Sequence, residues 1–206
     1  MRRGWSGIAP GRSAVLLALL LGAGPPPEAR AQLPLKIWAR PLLAVPIGDF
    51  AGRDNGVDAR PTGGFDAGGS LSLGALRVYG EYTEVDFGCD ECAEAGLADA
   101  ALDRGWGAGV VVPISGERFG LVPWVRLGVI GHHLRFRSEV EAAYSNRSLG
   151  WAAGGGAEIR PARWLRVEPA VIFRHYDTTF GFRIDVPDRD LSVSYLGLGL
   201  ALGIEL

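Results

Sequence analysis

The chain has 206 residues, with 21 basic and 23 acidic side chains and a formal net charge of −2 at pH 7. This balance lacks the basic excess of a nucleic-acid-binding surface, so no nucleic-acid partner is expected. Glycine accounts for 31 residues, about twice its average usage. Beyond the N-terminal region no apolar run has the length of a membrane helix, so a membrane location would require strands.

The N-terminal region resembles a secretory signal peptide. A basic N-terminus precedes an apolar run over Ala14–Leu21, and Ala29-Arg30-Ala31 forms a small-x-small cleavage site. The apolar run is too short to span a bilayer as a helix. The sequence therefore predicts a cleaved signal peptide at residues 1–31 and one exported domain at residues 32–206.

The first part of this domain alternates apolar and polar side chains, which is typical of strands. The first strand is predicted at residues 35–45, although Pro41 counts against a central strand and is tolerated best near a bulge. A polar loop at 47–62 follows. The second and third strands are predicted at 65–73 and 76–83, joined by a two-residue turn.

A long acidic loop is predicted at 86–103, before a fourth strand at 106–112 and a short connection. The fifth, sixth and seventh strands are predicted at 121–130, 149–159 and 165–173. A polar loop at 132–146 precedes the sixth strand, and a tight turn follows it. A last polar loop at 177–190 then leads into the final strand.

The last strand, residues 191–206, has the clearest pattern. From Leu196 to Leu206 every even position is large and apolar, whereas the odd positions carry Gly, Ala and Glu. Successive strand side chains point to opposite faces, so one face is apolar and the other is nearly bare. Apolar side chains toward lipid and small or polar ones toward the interior are typical of a membrane barrel.

The connections alternate between long and short, as in outer-membrane barrels with long external loops and short periplasmic turns. Aromatic side chains of the apolar phase collect beside the long loops, where an interfacial ring would lie: Phe65, Tyr82, Trp106, Trp151 and Phe173. The sequence therefore predicts an all-β fold, an eight-stranded antiparallel up-and-down transmembrane β-barrel.

Charged residues occupy the opposite phase of the strands. Since an eight-stranded barrel has an interior filled by side chains and buried charges need partners, we predict a lumenal ion-pair network. Its members are Arg40, Asp66, Arg77, Glu81, Arg126, Glu158, Arg166 and Glu168, with Glu205 as a further candidate.

Together these features resemble the small outer-membrane β-barrel proteins of the OmpA transmembrane-domain and OmpX type. The segment from Val45 to Phe50 is similar to a Pro-x-Gly-Asp-Phe motif of such barrels, although the chain ends in Leu206 where family members commonly end in an aromatic residue. The resemblance implies outer-membrane lipid and lipopolysaccharide as surroundings and the barrel-assembly machinery as a partner during insertion.

Cys89 and Cys92 form a C-x-x-C pair in the acidic loop. A redox or zinc role is open in principle. A local disulfide is favoured, because the chain is predicted to be exported and no second pair exists. The acids of this loop, and Asp185, Asp188 and Asp190 in the last one, could bind a divalent cation but lack EF-hand spacing. The loop acids are Asp86, Asp90, Glu91, Glu94, Asp99 and Asp103.

The three histidines, His132, His133 and His175, are predicted near the outer rim. Lipid-A-modifying barrels of the PagP and PagL type use a rim histidine with a serine and a carboxylate. The nearby candidates here are Ser145, Ser148, Glu139 and Asp177, although no spacing selects a triad.

The favoured function is a non-catalytic outer-membrane barrel without a cofactor, acting in envelope integrity or in surface interaction through its loops, whose partner is not predicted. A general porin is disfavoured because eight strands leave no open channel. Two alternatives stay open: a lipid-A-modifying enzyme and a soluble periplasmic, lipocalin-like ligand carrier. The second requires the apolar face to point inward and the charges to lie in water.

Overall fold

The computed structural model describes residues 35–52, 58–89, 100–114, 120–137, 143–180 and 189–206. The eight long strands are β1 (Leu35–Pro46), β2 (Thr62–Leu73), β3 (Leu76–Cys89), β4 (Ala100–Pro113), β5 (Leu121–Arg137), β6 (Ser148–Ile159), β7 (Leu165–Phe180) and β8 (Arg189–Glu205). A short 3-10 helix, Gly48–Ala51, follows β1, and two-residue strands lie at Ala59–Arg60 and Ala143–Tyr144. The predicted signal peptide lies outside the described residues. Within them, no helix is long and apolar enough to cross a membrane.

Every long strand pairs antiparallel with its neighbours in the sequence, and β1 also pairs with β8. This last pairing closes the sheet into a ring and leaves no free edge among the long strands. The prediction of an eight-stranded up-and-down barrel is confirmed. One end of the barrel carries the β1–β2, β3–β4, β5–β6 and β7–β8 connections and is called the loop end; the other is called the turn end.

Pro41 lies within β1 without a bulge. β1 pairs with β8 through Ala39↔Leu202, and pairing resumes in the same register at Leu42↔Gly199. Between these pairs the hydrogen-bond ladder from β1 to β8 is interrupted, because proline has no N–H to donate. The strand therefore accommodates Pro41 without a bulge.

Several strands extend farther toward the loop end than the sequence pattern predicted. β3 continues to Cys89, β4 begins at Ala100, β5 continues to Arg137, and β7 and β8 cover most of 165–205. The predicted acidic and polar loops thus consist partly of strand. Their outer face is largely polar apart from Leu102, and their inner face carries buried side chains that include Phe87, Leu134, Leu191 and Val193.

The two faces of the strands differ as the sequence pattern predicted. Large apolar side chains are exposed along the outer wall, among them Leu198, Leu200, Leu202 and Ile204 on β8. The inner face holds the buried charged groups, and its glycines make room for large neighbours. A Cβ on Gly199 would lie 2.7 Å from the Arg40 side chain. Likewise, a Cβ on Gly156 would lie 2.7 Å from the Trp124 ring, so neither position tolerates a side chain without displacement.

Candidate functional site

The turn end of the lumen contains a cluster of mixed charges, which we call the turn-end cluster. Glu158 is central to it: its carboxylate lies 2.6 Å from Arg77 Nη1, 2.8 Å from Arg160 Nε and 3.5 Å from Lys36 Nζ. Lys36 also donates to Glu168, and Arg166 donates to Glu205. Its members are Lys36, Arg77, Glu158, Arg160, Arg166, Glu168 and Glu205.

Arg166 also connects the turn-end cluster to the backbone. Its Nη1 donates to the carbonyl oxygens of Ala162 and Arg163, at 3.0 Å each, and of Leu165 at 3.1 Å. These carbonyls belong to the β6–β7 turn and the start of β7. The guanidinium therefore satisfies turn acceptors as well as a carboxylate, and it anchors this turn to the lumen.

A second cluster, the central cluster, lies in the middle of the lumen. Arg126 makes a bidentate pair with Glu81, with Nη–Oε distances of 2.5 and 2.7 Å. Arg174 Nη2 lies 2.9 Å from both oxygens of Asp66 and 3.1 Å from Glu81 Oε1. Arg40 Nη1 donates to Asp66 at 3.1 Å. Three guanidinium groups thus face two carboxylates, and all five residues are buried.

Toward the loop end, a third group surrounds Asp103 and is called the Asp103 cluster. The hydroxyls of Tyr176 and Tyr195 each donate to the Asp103 carboxylate at 2.8 Å, and His132 Nδ1 lies 3.0 Å from it. All four residues are at most 1% exposed. The carboxylate therefore has three hydrogen-bonding neighbours at a depth where an unpaired charge would be costly.

Phe50 covers this cluster from the loop end. Its ring lies edge-on to Phe87, with centroids 4.9 Å apart, and Phe87 lies 5.3 Å from the Tyr195 ring. Gly48, two residues before Phe50, has a φ of +61°, which a side chain would strain. The motif from Val45 to Phe50 thus forms a short turn that returns an aromatic ring into the barrel.

The lumen between the turn-end and central clusters leaves little free space. A cavity of about 20 Å³ there is lined by Lys36, Trp38, Arg40 and Trp124, among others. This volume accommodates about one water molecule. Side chains therefore fill this level of the barrel.

All eight residues predicted for the lumenal network face the interior and make ion pairs there. The structure adds Lys36, Arg160, Arg174 and Asp103, which sequence reasoning left out of the network. A signal existed for Lys36 and Arg174, because each has the strand phase of predicted members, Arg40 and Glu168. Asp103 was placed in a loop instead, and the extension of β4 overturns that placement.

The predicted aromatic ring lies on the outer wall near the loop end. Trp106 is 68% exposed, and the rings of Tyr82 and Trp106 lie 5.1 Å apart. On the other side of the barrel, Trp151 and Phe173 have centroids 4.9 Å apart. At the turn end Trp164 is also exposed, so the turn end carries an aromatic side chain that the sequence pattern did not reveal.

The three predicted rim histidines lie in different environments. His132 is inside the barrel with Asp103. His133 faces outward and accepts a hydrogen bond of 3.1 Å from Arg104 Nε. His175 also faces outward, with its Nδ1 2.8 Å from Ser194 Oγ and its Nε2 4.0 Å from Asp177 Oδ1.

Of the other predicted rim residues that the structure describes, Asp177 lies near His175, and the two serines lie elsewhere on the barrel wall. Ser145 Oγ accepts from the Leu134 amide at 2.8 Å and donates to the Asn146 carbonyl. Ser148 lies beside an outer groove with His133, and Glu139 lies outside the described residues. Ser194, which sequence reasoning missed, pairs with His175 across β7 and β8.

The acidic positions are only partly described. Asp103 is not a solvated loop acid, because it is buried in the lumen. Asp190 is exposed and accepts a hydrogen bond of 2.8 Å from Thr179, and Asp86 is exposed on β3. The Cys89 side chain and the following positions lie outside the described residues: Asp90, Glu91, Cys92, Glu94, Asp99, Asp185 and Asp188. The disulfide therefore stays a prediction.

No protein-family model matches the sequence, and no curated protein matches it. Solved structures match by fold. Neisserial surface protein A has a TM-score of 0.62 and 11% identity, over 84% of this chain and 97% of that chain. The fold is that of small outer-membrane β-barrels.

Two further structures support this assignment of the fold. The outer membrane protein OprG from Pseudomonas aeruginosa has a TM-score of 0.56 and 12% identity, over 84% of this chain and 95% of that chain. The outer membrane protein AlkL in lipid bilayers has a TM-score of 0.54 and 12% identity, over 89% and 95%. At these identities, the function has to be argued from the residues of this chain.

Proposed function

We propose that the protein spans a bacterial outer membrane as a non-catalytic barrel, and that it acts in envelope integrity or in surface interaction through its loops. The observation that carries the proposal is that the barrel is apolar outside and charged inside, the reverse of a water-soluble protein. The outer wall exposes a continuous set of apolar side chains, while the charged groups lie paired inside. In water this arrangement would be unfavourable, whereas in lipid it satisfies both faces.

The dimensions of the apolar belt support the same proposal. On β8 the outward phase is apolar from Leu196 to Leu206, roughly 33 Å along a strand at about 3.3 Å per residue. A strand tilt of about 40° reduces this to about 25 Å of height, the thickness of the apolar band of outer-membrane barrels. The ring with Trp106 and Trp151 lies at one edge of the belt, where aromatic side chains meet the headgroups.

The filled lumen favours a role at the surface over a role as a general pore. Two charge clusters and the Asp103 cluster occupy successive levels of the barrel, and Phe50 lies above them. A lipocalin-like carrier needs an apolar interior and exposed charges. Here Glu81 and Glu168 are buried inside the barrel, which argues against such a carrier.

The proposal is tested by fractionating cells that express the full chain and comparing unboiled with boiled samples on a denaturing gel. We expect the protein in the outer-membrane fraction, with a faster-migrating unboiled band. Recovery as a soluble periplasmic protein without a mobility shift would refute the proposal. Urea extraction of the membranes is the control, because it removes peripheral proteins and leaves an integral barrel in place.

A second candidate function, hydrolysis of a lipid ester, is favoured by the hydrogen bond between His175 and Ser194. With Asp177, these residues bring a hydroxyl, an imidazole and a carboxylate together, but Ser194 lies at Nδ1 and Asp177 on the Nε2 side, the reverse of the ring nitrogens that serine hydrolases use. We rank it second because Asp177 is 79% exposed on its side chain and 4.0 Å from the ring, too far for a hydrogen bond.

Mass spectrometry of membrane lipids separates the two candidates. A hydrolase would produce a lipid product with the native chain, lose it with Ser194→Ala and keep it with Ser192→Ala, a matched outward serine on β8. Identical lipid profiles for cells with and without the native protein would support the non-catalytic role.

A further inference from the structure

A groove of about 590 Å³ lies on the outer wall, between the aromatic ring and the loop end. Its volume is within the range of about 300–1,000 Å³ that is typical of small-molecule sites. It crosses four strands, β3 to β6, and the residues that line it include Tyr82, Arg104, Trp106, His133, Arg147 and Leu149.

Gly131 forms the floor of the groove. It pairs with Trp106 on β4 and with Leu149 on β6, so a position without a side chain lies between two large apolar ones. Trp106 is 68% exposed and Leu149 is 85% exposed. A Cβ on Gly131 would lie 3.9 Å from Leu149 Cδ2, and a longer side chain would therefore enter the groove from below. Strands two apart in a sheet lie roughly 10 Å from each other, so an extended hydrocarbon tail fits over Gly131 between the two side chains.

Two arginines and a histidine border the groove on the loop side. Arg104 and His133 are register partners, two residues beyond Trp106 and Gly131 on their strands, which is about 7 Å. Arg147, one residue before β6, is exposed. The groove is thus apolar at the height of the aromatic ring and cationic above it.

The described part of this border has a net positive charge when its acidic residue, Glu84, is counted. Glu84 pairs with Arg104 across β3 and β4, and its carboxylate accepts a hydrogen bond of 2.8 Å from Tyr82. His133 accepts from Arg104 at 3.1 Å through Nε2, which requires that nitrogen to be unprotonated. Among the described residues, two guanidinium groups, of Arg104 and Arg147, therefore face one carboxylate, that of Glu84. Asp103, next to Arg104 in sequence, points into the lumen.

We infer that this groove binds a phosphate-bearing lipid of the surrounding leaflet. Its acyl chain lies over Gly131, between Trp106 and Leu149, and its phosphate lies between Arg104 and Arg147. Guanidinium groups are well suited to phosphate because they donate in a planar fork. The inference rests on the proposed membrane location and adds a defined binding position to it.

The test measures lipid retention on the full-length barrel by native mass spectrometry from detergent. The probes are diphosphoryl lipid A, monophosphoryl lipid A and phosphatidylethanolamine, with inorganic phosphate as a soluble competitor. The variants are R104Q/R147Q, which removes both guanidinium groups, and Gly131→Leu, which fills the groove. Their controls are Arg163→Gln, an exposed arginine at the turn end, and Gly80→Leu, an outward glycine on β3 away from the groove.

We expect the native barrel and both controls to retain diphosphoryl lipid A most strongly. R104Q/R147Q should weaken retention about thirtyfold, given the typical contribution of a basic residue at an anionic membrane surface. Gly131→Leu should weaken the binding of all three lipids. Equal retention by R104Q/R147Q and Arg163→Gln, or displacement of the lipid by an equal concentration of inorganic phosphate, would overturn the inference.

Heat-modifiable migration is measured for every variant, so that a variant that does not fold is distinguished from one that folds but does not bind lipid. Normal migration and insertion with unchanged lipid retention would refute the lipid site and leave the proposed function standing. Absence of heat-modifiable migration in the native chain would refute the proposed function and this inference with it.

Discussion

Arg174 Nη2 lies 2.9 Å from both carboxylate oxygens of Asp66, although the two residues are 108 positions apart in the sequence. Both side chains are fully buried. The contact connects β2 to β7 across the lumen, and the same guanidinium reaches Glu81 on β3. This arginine therefore connects three strands through two carboxylates.

Replacing Arg174 with methionine should strongly destabilise the barrel. The substitution keeps much of the side-chain volume but leaves Asp66 and Glu81 with less compensating charge, and we expect a loss of about 3–5 kcal/mol in the free energy of unfolding. Denaturant unfolding in micelles, followed by tryptophan fluorescence, measures it. Arg163→Met, at the exposed β6–β7 turn, is the control and should change stability by no more than about 0.5 kcal/mol. Similar losses in both variants would contradict the role assigned to Arg174.

Replacing Tyr195 with phenylalanine should cost more than the same change at Tyr79. The Tyr195 hydroxyl donates to the buried Asp103 carboxylate, and a hydrogen bond to a charged group contributes about 1.5–3 kcal/mol. The buried Tyr79 hydroxyl has no hydrogen-bond partner among the described residues. Unfolding midpoints of the two variants in the same detergent make the comparison, and a larger loss for Tyr79→Phe would show that the hydroxyls of the Asp103 cluster contribute little.

Removing the Phe50 ring should destabilise the loop end of the barrel. Phe50 is fully buried against Phe87, so Phe50→Ala removes a packed ring at a cost of about 3–5 kcal/mol. Hydrogen exchange resolves the effect, which should appear first at the loop-side ends of β3 and β8. Asp49→Ala changes the exposed neighbour in the same short helix and should leave exchange unchanged. Exchange that accelerates only at the turn end would refute this placement of Phe50.

A charge in the middle of the apolar belt should impair insertion. Leu200 is 47% exposed and lies midway between Leu196 and Leu206 on the outward phase of β8. Leu200→Lys should cost about 2–4 kcal/mol in a bilayer, whereas Leu206→Lys at the edge should cost about 0–1 kcal/mol. Refolding yield into phosphatidylcholine vesicles measures the difference. Equal yields for the two variants would argue against a lipid-facing outer wall.

The sequence pattern was sufficient to predict the strands inside the belt and the facing of their side chains. The alternation from Leu196 to Leu206 has the two-residue period of a strand, and that period does not depend on which strands are neighbours. The same logic placed Arg40, Glu81 and Glu168 inside. It failed at Asp103, because beyond the belt the outer face becomes polar and hydropathy no longer distinguishes outward from lumenal residues.

The candidate sites on the outer wall could not be predicted in this way. Ser194 meets His175 only because β7 and β8 pair in a particular register, and Gly131 lies between Trp106 and Leu149 only because β4, β5 and β6 do. The signal peptide, the Cys89–Cys92 disulfide and the assembly machinery as a partner stay predictions.

The strands, their apolar outer face and most of the buried charges follow from the sequence alone, because each depends on a local period of two. Which charges meet depends on the closed barrel. Arg174 reaches Asp66 and Glu81 only after β1 pairs with β8 and closes the ring, and the register of each strand pair then sets the height of every side chain in the lumen. A pattern along one strand carries no information about that closure.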